Sequence, residues 1–562
     1  MRRSRALWAL VVAGFGIGSL VLHGQIDNRR LVILNIGLPA VDQDTIPDMT
    51  HRPGSPEAIR RASLRPLTNL TRVSRSGREY VAGRVLVRFK DEVPERARDT
   101  IVRDVVANAS GRTRPDYADF DLVSIDTSAD AEAIAGGFRT RSEVEYAQPA
   151  YRVRTTFVPN DPHYSDLQWN LPLIQMESAW DIQPQAGSSI TVAIVDTGLA
   201  FHNATLDVTV RAFVDDTETA HPALGHQLIP YSAADQIVGG GRSNRIVAPR
   251  DFIWNTNDPL DFDGHGTHVA GTIGQITNDG IGTAGVAFNV KLMPIKVLAS
   301  DWDVAFGGAP FVGGSEDQVA QGIRYAADNG ANIINMSLGH EGPANCGTNS
   351  KQDGCSPTIE AAIRYAVGKG SFVVVSAGNF GEEVDPDFGT NPTSVIAEIA
   401  SRVQGAVSVA AVDRHAVGQT GSRRCTGTPS LPDCHAYYSS FGPYVELSAP
   451  GGSERGFGRD GFVWQQTFDF NFTDTFLLPP SQYKPPRFDV MAYVGYIGTS
   501  MAAPHVSGVA AMLMQQGIKD PAAIEAALEK FAVDLGDAGR DDKFGFGLVD
   551  ARASLRGLGL AR

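Results

Sequence analysis

The C-terminal two thirds of the chain alternates short apolar runs with amphipathic segments. One amphipathic segment begins at Ser315, has Gln318 three residues later as in a capping box, and stops before Gly330. Another follows Pro357 and ends near Gly370. The apolar runs are rich in β-branched residues, as in strands buried on both faces: ITVAIVD (190–196), NIINMSL (332–338), FVVVS (372–376) and VSVAAV (407–412). This alternation predicts an α/β domain from residue 156 to 562, with helices on both faces of a parallel sheet.

A different pattern occupies residues 82–154. It opens with the alternating stretch GRVLVRFKD, continues with the helical pattern PERARDTIVRDVVAN and closes at EVEYAQPAY. Strand, helix and later strands within so short a stretch predict a small α+β domain. Residues 25–81 mix Pro, Arg, Ser and Thr with little periodicity and are predicted to be a linker.

The first 24 residues form a segment of their own. Arg2, Arg3 and Arg5 precede an apolar run from Ala6 to Leu22. A basic start followed by an apolar run is typical of a signal peptide, although a clear A-x-A cleavage site is missing. The alternative is an uncleaved membrane anchor. Both alternatives place the rest of the chain outside the cytoplasm, in an extracellular or periplasmic location.

Composition and cysteine usage agree with export. The formal net charge of −14 argues against binding to nucleic acid or to anionic membranes through bulk electrostatics. Four cysteines form two pairs with the same nine-residue spacing, and local bridges Cys346–Cys355 and Cys425–Cys434 are the simplest of three connectivities. Four free thiols in a cytosolic protein are the alternative. A zinc site is disfavoured because no CxxC spacing occurs.

Four residues are candidates for catalysis. Asp196 ends the strand TVAIVD, His265 lies in DGHGTHVAGT, and Ser500 lies where GTSMAAPHVSG starts a helix, with Pro504 expected in its first turn. Taken singly, the aspartate and the histidine have ordinary structural explanations. Together they supply a nucleophile, a base and an orienting carboxylate. The Ser500 N–H and the Asn379 amide in SAGNFG could donate to an oxyanion.

Five segments carry a family resemblance, and they occur in the order VAIVDTG, DGHGTHVAGT, INMSLG, SAGN and GTSMAAPHVSG. They resemble the subtilisin-like serine proteases, peptidase family S8, and the resemblance runs from about residue 160 to 550. It implies a secreted serine endopeptidase made as a zymogen and acting through an acyl-enzyme. In this resemblance Asp196 orients His265, His265 is the base, Ser500 attacks and Asn379 stabilises the oxyanion.

The resemblance also implies a role for the small domain. Residues 82–154 resemble the family's inhibitory propeptide, which assists folding and is then cut away, here between Tyr151 and Asp161. Assistance is physically reasonable because a large parallel sheet is rich in long-range contacts and folds slowly. The alternative is an independent N-terminal binding module.

The predicted substrate site follows the strand NIINMSL. The edge formed by Ser337, Leu338 and Gly339 is expected to receive a peptide by strand addition, and Gly378 is expected to leave room beside the nucleophile. The expected partners are then polypeptide substrates and the chain's own propeptide. Nucleic acid is not expected as a partner, and the protein is expected to be a monomer. No acidic residue in the quoted segments indicates a pocket for basic side chains, which favours apolar or broad specificity.

The loop TNDGIGTAG (277–285) resembles the family's calcium loop. The expected ligands, hard oxygens suited to structural Ca²⁺, are the backbone oxygens of Thr277, Ile281 and Thr283 and the side chain of Asp279. The chain departs from the family at Thr205, where another carboxylate is usual. The alternative is a Gly-rich loop stiffened by its own turns. No cofactor is expected for the chemistry itself.

Two insertions are not explained by the motifs. Residues 301–314 lengthen a loop beside the expected cleft, and residues 453–496 include FVWQQTFDFNFTDTF. Phe468, Phe470, Phe472 and Phe476 share one parity, which predicts a hairpin that buries aromatic side chains of one strand face. A flap over the substrate or a partner surface is the alternative.

Two other functions compete with the protease. A catalytically silent subtilisin-like fold could serve as a tethered binding protein, although the four catalytic positions are all filled. An esterase or other acyl hydrolase would share the machinery and differ in how it holds the substrate strand. A peptide amide and its matched ester distinguish an esterase from a protease.

Overall fold

The computed structural model describes most of the chain beyond residue 70. The described residues are 71–73, 79–107, 109, 111–151, 157–215, 218–239, 244–342, 355–381, 393–419, 424–428 and 432–557. The predicted signal segment, 1–24, lies outside them. The chain divides near residue 156 into two compact units. Within the described part, no helix combines the length and the hydropathy that crossing a membrane requires.

The N-terminal unit is an α+β fold, as the sequence predicts. Its strands form a five-stranded antiparallel sheet in the order β1-β2-β4-β3, with β5 also paired to β2. The elements are β1 (Thr71–Val73), β2 (Glu79–Phe89), α1 (Glu95–Val105), β3 (Gly111–Thr113), β4 (Asp121–Ser124), α2 (Ala131–Arg139) and β5 (Val144–Tyr151). β1 and the start of β2 lie within the segment predicted as linker, because strand residues so few in number show no periodicity in the sequence.

The strands of the C-terminal unit are β6 (Thr191–Asp196), β7 (Ala204–Val210), β8 (Gly225–Tyr231), β9 (Arg250–Asp251), β10 (Lys291–Lys296), β11 (Ile333–Met336), β12 (Glu341–Gly342), β13 (Phe372–Ser376), β14 (Thr393–Ser394), β15 (Ala406–Val412), β16 (Leu447–Pro450), β17 (Val463–Phe468) and β18 (Met491–Tyr496). Seven of these form one sheet in the order β16-β15-β13-β11-β6-β10-β9. Every pairing in it is parallel, as predicted.

The helices of this unit are α3 (Asn170–Leu173), α4 (Met176–Ile182), α5 (Asp235–Val238), α6 (His265–Gly274), α7 (Asp301–Ala305), α8 (Glu316–Asp328), α9 (Pro357–Gly368), α10 (Val395–Ala400), α11 (Phe470–Thr473), α12 (Thr499–Gln515), α13 (Pro521–Phe531) and α14 (Ala551–Gly557). They cover both faces of the sheet. Val192 and Ile194 of β6 belong to one apolar core, whereas Ala193 and Val195 belong to a second one. Successive strand residues point to opposite faces, so a separate core lies on each side.

Local sequence signals set the ends of α8. Ser315 is its N-cap and forms the predicted capping box with Gln318. Gly330, just beyond the helix, has φ +79°, the left-handed conformation that glycine adopts without strain. Both terminal predictions for this helix are confirmed.

The order of the strands brings the candidate residues together. β6, β11 and β13 are neighbours in the sheet, and all three run in the same direction. Asp196 is the last residue of β6. Ser337 directly follows β11 and Gly378 closely follows β13. These candidates therefore share the carboxyl edge of the sheet, where ligands bind in open α/β folds.

The aromatic insertion contains a hairpin, but its phenylalanines do not share a strand face. β17 pairs with β18, and only Phe468 of the four lies on a strand. Asp469 caps α11 by accepting from the Asn471 N–H, so the chain turns helical at Phe470. Phe476 lies in a further 3₁₀ turn and stacks on Trp302 of the other insertion, with ring centroids 3.9 Å apart. The equal parity of the four positions therefore had no structural meaning.

The predicted disulfides lie in the C-terminal unit. Cys425 and Cys434 form a disulfide, as the local pairing predicts. Cys355 is also disulfide-bonded. Cys346, its predicted partner, lies outside the described residues.

Candidate active site

A buried hydrogen-bonded pair lies at the carboxyl end of β6. His265 Nδ1 lies 2.7 Å from Asp196 Oδ1, and both side chains are almost completely excluded from solvent. The Thr197 N–H also donates to Asp196 Oδ1, at 2.7 Å. His265 is the first residue of α6, after Gly264 with φ +102°. The turn at Gly264 therefore places the His265 imidazole at the carboxyl end of β6.

The electrostatics of this pair favour the imidazolium. Burial alone lowers the pKa of His265, but the charge and hydrogen bond of Asp196 and the charges of Asp263 and Asp261 raise this pKa to about 9. His265 Nε2 is buried and has no hydrogen-bond partner among the described residues. Because Nδ1 donates to Asp196, the neutral ring carries its lone pair on Nε2. The ring can therefore accept a proton at that atom.

Ser500 is the second residue of α12, which begins after Gly498 with φ +154°. Pro504 lies in the second turn of this helix, so the first-turn prediction is wrong. A proline at this position leaves the Ser500 carbonyl without its helical donor. The Ser337 hydroxyl donates to that carbonyl at 2.8 Å and so replaces the missing bond. The sequence could not show this compensation because Ser337 is distant in the chain.

The nucleophile candidate is not hydrogen-bonded to the histidine in this structure. Ser500 Oγ donates to the Ser337 carbonyl oxygen at 3.3 Å. Ser500 is only 7% exposed. A serine Oγ changes position by rotation about a single bond, and such hydrogen bonds often tighten only when substrate binds.

Two hydrogen bonds fix the side-chain amide oxygen of Asn379. The Thr499 N–H and the Thr499 hydroxyl both donate to Asn379 Oδ1, at 3.0 and 2.9 Å. The Gly378 N–H in turn donates to the Thr499 hydroxyl oxygen at 3.1 Å. Because Oδ1 is occupied, Nδ2 of this exposed side chain is the atom left to donate to an oxyanion. Sequence analysis did not select Thr499, although it directly precedes Ser500.

The glycines of the predicted substrate edge lie in crowded surroundings. Gly378 has φ +101°, and a Cβ there would lie 3.0 Å from Ser394 Cβ and 3.0 Å from Ser440 Oγ. A Cβ at Gly339 would lie 2.9 Å from Ser394 Oγ. Leu338, between the two predicted edge residues Ser337 and Gly339, is 7% exposed. Ser394 therefore packs closely against both glycines and leaves little room for a side chain at either position.

The loop 277–285 presents oxygen atoms beside a residue that sequence analysis missed. Asp161 is 3% exposed, and its carboxylate accepts from the N–H groups of Asn278 (2.7 Å) and Asp279 (3.3 Å). Burial raises the pKa of Asp161, and the neighbouring Asp279 carboxylate raises it further. Asp161 and Asp279 thus bring two carboxylates together at this loop, and carboxylate oxygens are hard donors of the kind that Ca²⁺ prefers. Thr205 lies in β7, paired with Pro230.

Comparison with known proteins finds two matching family models and several similar proteases. A family model described as Subtilase family matches residues 187–547, and one described as Fervidolysin N-terminal prodomain matches residues 67–150. The Thermophilic serine proteinase of Bacillus sp. (strain AK1) is 28% identical over 473 residues, covering 84% of this chain and 88% of that protein. An Extracellular protease of Xanthomonas campestris is 29% identical over 446 residues, covering 76% of this chain and 62% of that protein.

A solved structure is also similar to this chain. The crystal structure of fervidolysin from Fervidobacterium pennivorans is 25% identical, with a TM-score of 0.45 over 88% of this chain and 64% of that chain. The subtilase model matches well over half of the sequence, and the matched residues include every catalytic candidate. The chain therefore belongs to the subtilase family and is a serine protease that carries an N-terminal prodomain.

Proposed function

We propose that the chain is an exported endopeptidase, made as a zymogen, that hydrolyses peptide bonds through Asp196, His265 and Ser500 with help from Asn379. The observation that carries the proposal is the 2.7 Å hydrogen bond between His265 Nδ1 and Asp196 Oδ1 in a buried pair. This bond fixes the tautomer that a general base needs, with the lone pair on Nε2.

The first chemical step is the attack of Ser500. Its Oγ rotates from the Ser337 carbonyl toward His265 Nε2 and forms a bond to the carbonyl carbon of the substrate. The hydroxyl proton moves to Nε2, and the resulting imidazolium is stabilised by Asp196. The electron pair of the carbonyl becomes an oxyanion, to which Asn379 Nδ2 and the Ser500 N–H donate.

The second half of the cycle returns the enzyme to its starting state. The imidazolium gives its proton to the leaving amine, the peptide C–N bond breaks and an acyl-Ser500 ester remains. Water then attacks the ester with His265 again as the base, and Ser500 Oγ leaves with the returned proton. The Asp196–His265 bond persists throughout, so the base needs no rearrangement between the two halves.

The substrate main chain is proposed to pair with residues 337–339. Strand addition gives affinity through backbone hydrogen bonds and leaves side-chain pockets to set preference. The position of Ser337 directly after β11, beside the Ser500 carbonyl, supports this placement. A peptide held there lies next to the nucleophile.

The N-terminal unit is proposed to be an intramolecular inhibitor and folding aid that is released by cleavage between residues 151 and 161. Its match to a prodomain family supports this role. A parallel sheet of seven strands has many long-range contacts, which makes unaided folding slow. Export is supported by the apolar segment from Ala6 to Leu22 and by the extracellular relative.

Structural calcium is proposed for the loop 277–285. The residues that would hold it are Asp161 and Asp279, with the carbonyl oxygens of Thr277, Ile281 and Thr283. We expect added calcium to raise the unfolding temperature of the parent chain, because a ligand that binds only the folded state stabilises it. The same calcium should have no such effect on Asp279→Ala. An equal rise in both proteins would contradict the site.

Maturation of the intact precursor tests the function. The parent, Ser500→Ala and Ser507→Ala chains are each incubated with calcium. Loss of the N-terminal unit is monitored by mass spectrometry, and each chain is then labelled with a fluorophosphonate. Ser507 is the matched control, because it lies in the same helix and its hydroxyl donates to Asn335 rather than into the site. The parent and Ser507→Ala should release the N-terminal unit and take up the probe, and Ser500→Ala should do neither.

Two other results would change the assignment. If no protein matures or labels, the machinery is not assembled and the binding-protein alternative is supported. If the parent labels but hydrolyses a peptide ester without cleaving the matched amide, it is an esterase and not an endopeptidase.

A further inference from the structure

Asp261 is a fully buried carboxylate four residues before His265, and it contacts none of the reacting atoms of the proposed mechanism. It is 0% exposed. Its Oδ1 accepts from the N–H groups of Asp263 (3.0 Å) and Gly264 (2.9 Å), and its Oδ2 accepts from the N–H (2.9 Å) and the hydroxyl (2.7 Å) of Thr267. This one side chain therefore fixes the turn that precedes His265 and the first turn of α6.

The Asp261 carboxylate also contacts the chain segment that carries Asp196. The Thr197 hydroxyl donates to Asp261 Oδ1 at 3.0 Å and accepts from the Gly266 N–H at 2.9 Å. Thr197 directly follows Asp196, and Gly266 directly follows His265. The hydroxyl therefore bridges the two chain segments that carry the acid and the base.

The backbones of these segments touch directly. A Cβ at Gly266 would lie 2.3 Å from the Gly198 carbonyl oxygen, and a Cβ at Gly198 would lie 2.6 Å from the Pro259 carbonyl oxygen. The Thr267 hydroxyl oxygen accepts from the Ala200 N–H at 3.1 Å. Only glycine fits at these two positions, so the backbones after Asp196 and around His265 lie in direct contact. The hydrogen bonds of the Thr197 and Thr267 hydroxyls hold the two segments in this position.

We propose that Asp261, acting through Thr197, is a positioning residue that holds Asp196 and His265 at hydrogen-bond distance. This inference rests on the proposed function, in which that bond fixes the base. A carboxylate that served only to cap the start of α6 would need the N–H groups of Gly264 and Thr267 but not the hydroxyl of Thr197. The bridge from Thr197 to Gly266 is the feature that capping does not explain.

The Thr197 hydroxyl is the group to remove in a test of positioning, because a substitution of Asp261 would also affect the fold. Thr197→Val keeps the shape of the side chain and deletes the hydroxyl, whereas Thr197→Ser keeps the hydroxyl. We expect Thr197→Val to lower kcat by about 10- to 100-fold with KM unchanged, since small misplacements of catalytic groups cost up to about that much. Thr197→Ser should retain kcat close to that of the parent.

The pH dependence distinguishes positioning from loss of folded protein. A longer Asp196–His265 bond stabilises the imidazolium less, so the rise of kcat/KM with pH should shift to lower pH in Thr197→Val. Partial unfolding lowers the number of active molecules without shifting this rise. Rates are therefore divided by the number of sites that a fluorophosphonate titrates, with a peptidyl p-nitroanilide as substrate.

Asp251→Asn serves as the matched control for Asp261→Asn. Asp251 is also buried, at 1% exposure, and its carboxylate also accepts two backbone N–H groups, those of Ile253 and Trp254. Asp251→Asn should leave kcat unchanged, and Asp261→Asn should lower it as Thr197→Val does. Adding Thr197→Val to Asp261→Asn should cause little further loss, because Asp261→Asn already disrupts the bridge that Thr197 completes.

Two results would overturn the inference. The first is a Thr197→Val enzyme with the kcat and the pH profile of the parent. The second is a Thr197→Ser enzyme as impaired as Thr197→Val, which would show that the hydroxyl is not the group that matters. If the parent itself hydrolyses no substrate, the proposed function fails and the inference fails with it.

Discussion

The two halves of the candidate site differ in how complete they are before substrate arrives. Asp196 and His265 are buried and already joined by a 2.7 Å hydrogen bond. Ser500 Oγ instead donates to the Ser337 carbonyl, and Asn379 is exposed with only its amide oxygen fixed. The acid–base half is thus preorganised, whereas the nucleophile and oxyanion half is still open, because Ser500 Oγ has yet to turn toward His265 and the Asn379 side chain is exposed.

The difference follows from what each half must do. A buried charge pair acts in a low local dielectric, where its field on the imidazolium is strong and needs no reorganisation. The nucleophile and the oxyanion donor must contact the substrate, so their catalytic hydrogen bonds are completed only when the substrate binds. Changes to the buried half should therefore affect the base and its pKa, and changes to the open half should affect only the transition state.

The largest expected effect comes from Asp196→Asn. The amide keeps the shape of the side chain but cannot hold the same imidazole tautomer with the same charge, and we expect kcat to fall by about 10⁴-fold. The measurement is kcat toward a peptidyl p-nitroanilide at a pH where the parent is fully active. A loss of less than tenfold would show that the buried pair is not the base assembly.

A smaller loss is expected in the open half. Asn379→Leu removes the amide donor at similar volume and should lower kcat by about 100- to 1,000-fold. KM should not change, because the donor acts on the oxyanion and not on the ground-state substrate. A rise in KM at constant kcat would instead assign Asn379 to substrate binding.

The smallest effect is a shift in pH dependence. His265 must be neutral to accept a proton, and its pKa is raised to about 9, so kcat/KM should rise with pH beyond neutrality. Asp263 is one of the charges that raise this pKa, and Asp263→Asn should move the rise to lower pH by a few tenths of a pH unit.

Asp258→Asn is the control for that shift. Asp258 lies in the same loop but pairs with the half-buried His202, at 2.7 Å. Its removal should leave the pH profile in place. If Asp263→Asn causes no shift, or a shift to higher pH, the electrostatic account of His265 is wrong.

Much of the fold was predictable because its signals are local. The apolar runs at 190–196 and 372–376 contain β6 and β13, and Ser315 and Gly330 bound α8 as expected. The aromatic insertion shows the limit of this approach. Its residues have the spacing of a strand, but the cap at Asp469 turns the chain into a helix, and no period along the sequence records that choice.

The catalytic candidates were predictable for a different reason. Asp196, His265 and Ser500 each lie in a short segment typical of the family, and the topology of the sheet then brings those segments together. Their supporting residues depend on contacts between distant parts of the chain. Ser337 replaces the hydrogen bond that Pro504 removes, and Thr499 fixes Asn379. Neither contact can be predicted from the spacing of residues along the sequence.

Trapping the acyl-enzyme tests whether Ser500 is the nucleophile. The mature protein is mixed with a p-nitrophenyl ester of a short acyl peptide, quenched in acid within the first turnover, digested and examined by mass spectrometry. We expect the acyl group on the peptide that contains Ser500, and no adduct on Ser500→Ala whose N-terminal unit has been removed with an added protease. Hydrolysis without any adduct, continuing at the same rate in Ser500→Ala, would contradict this role of Ser500.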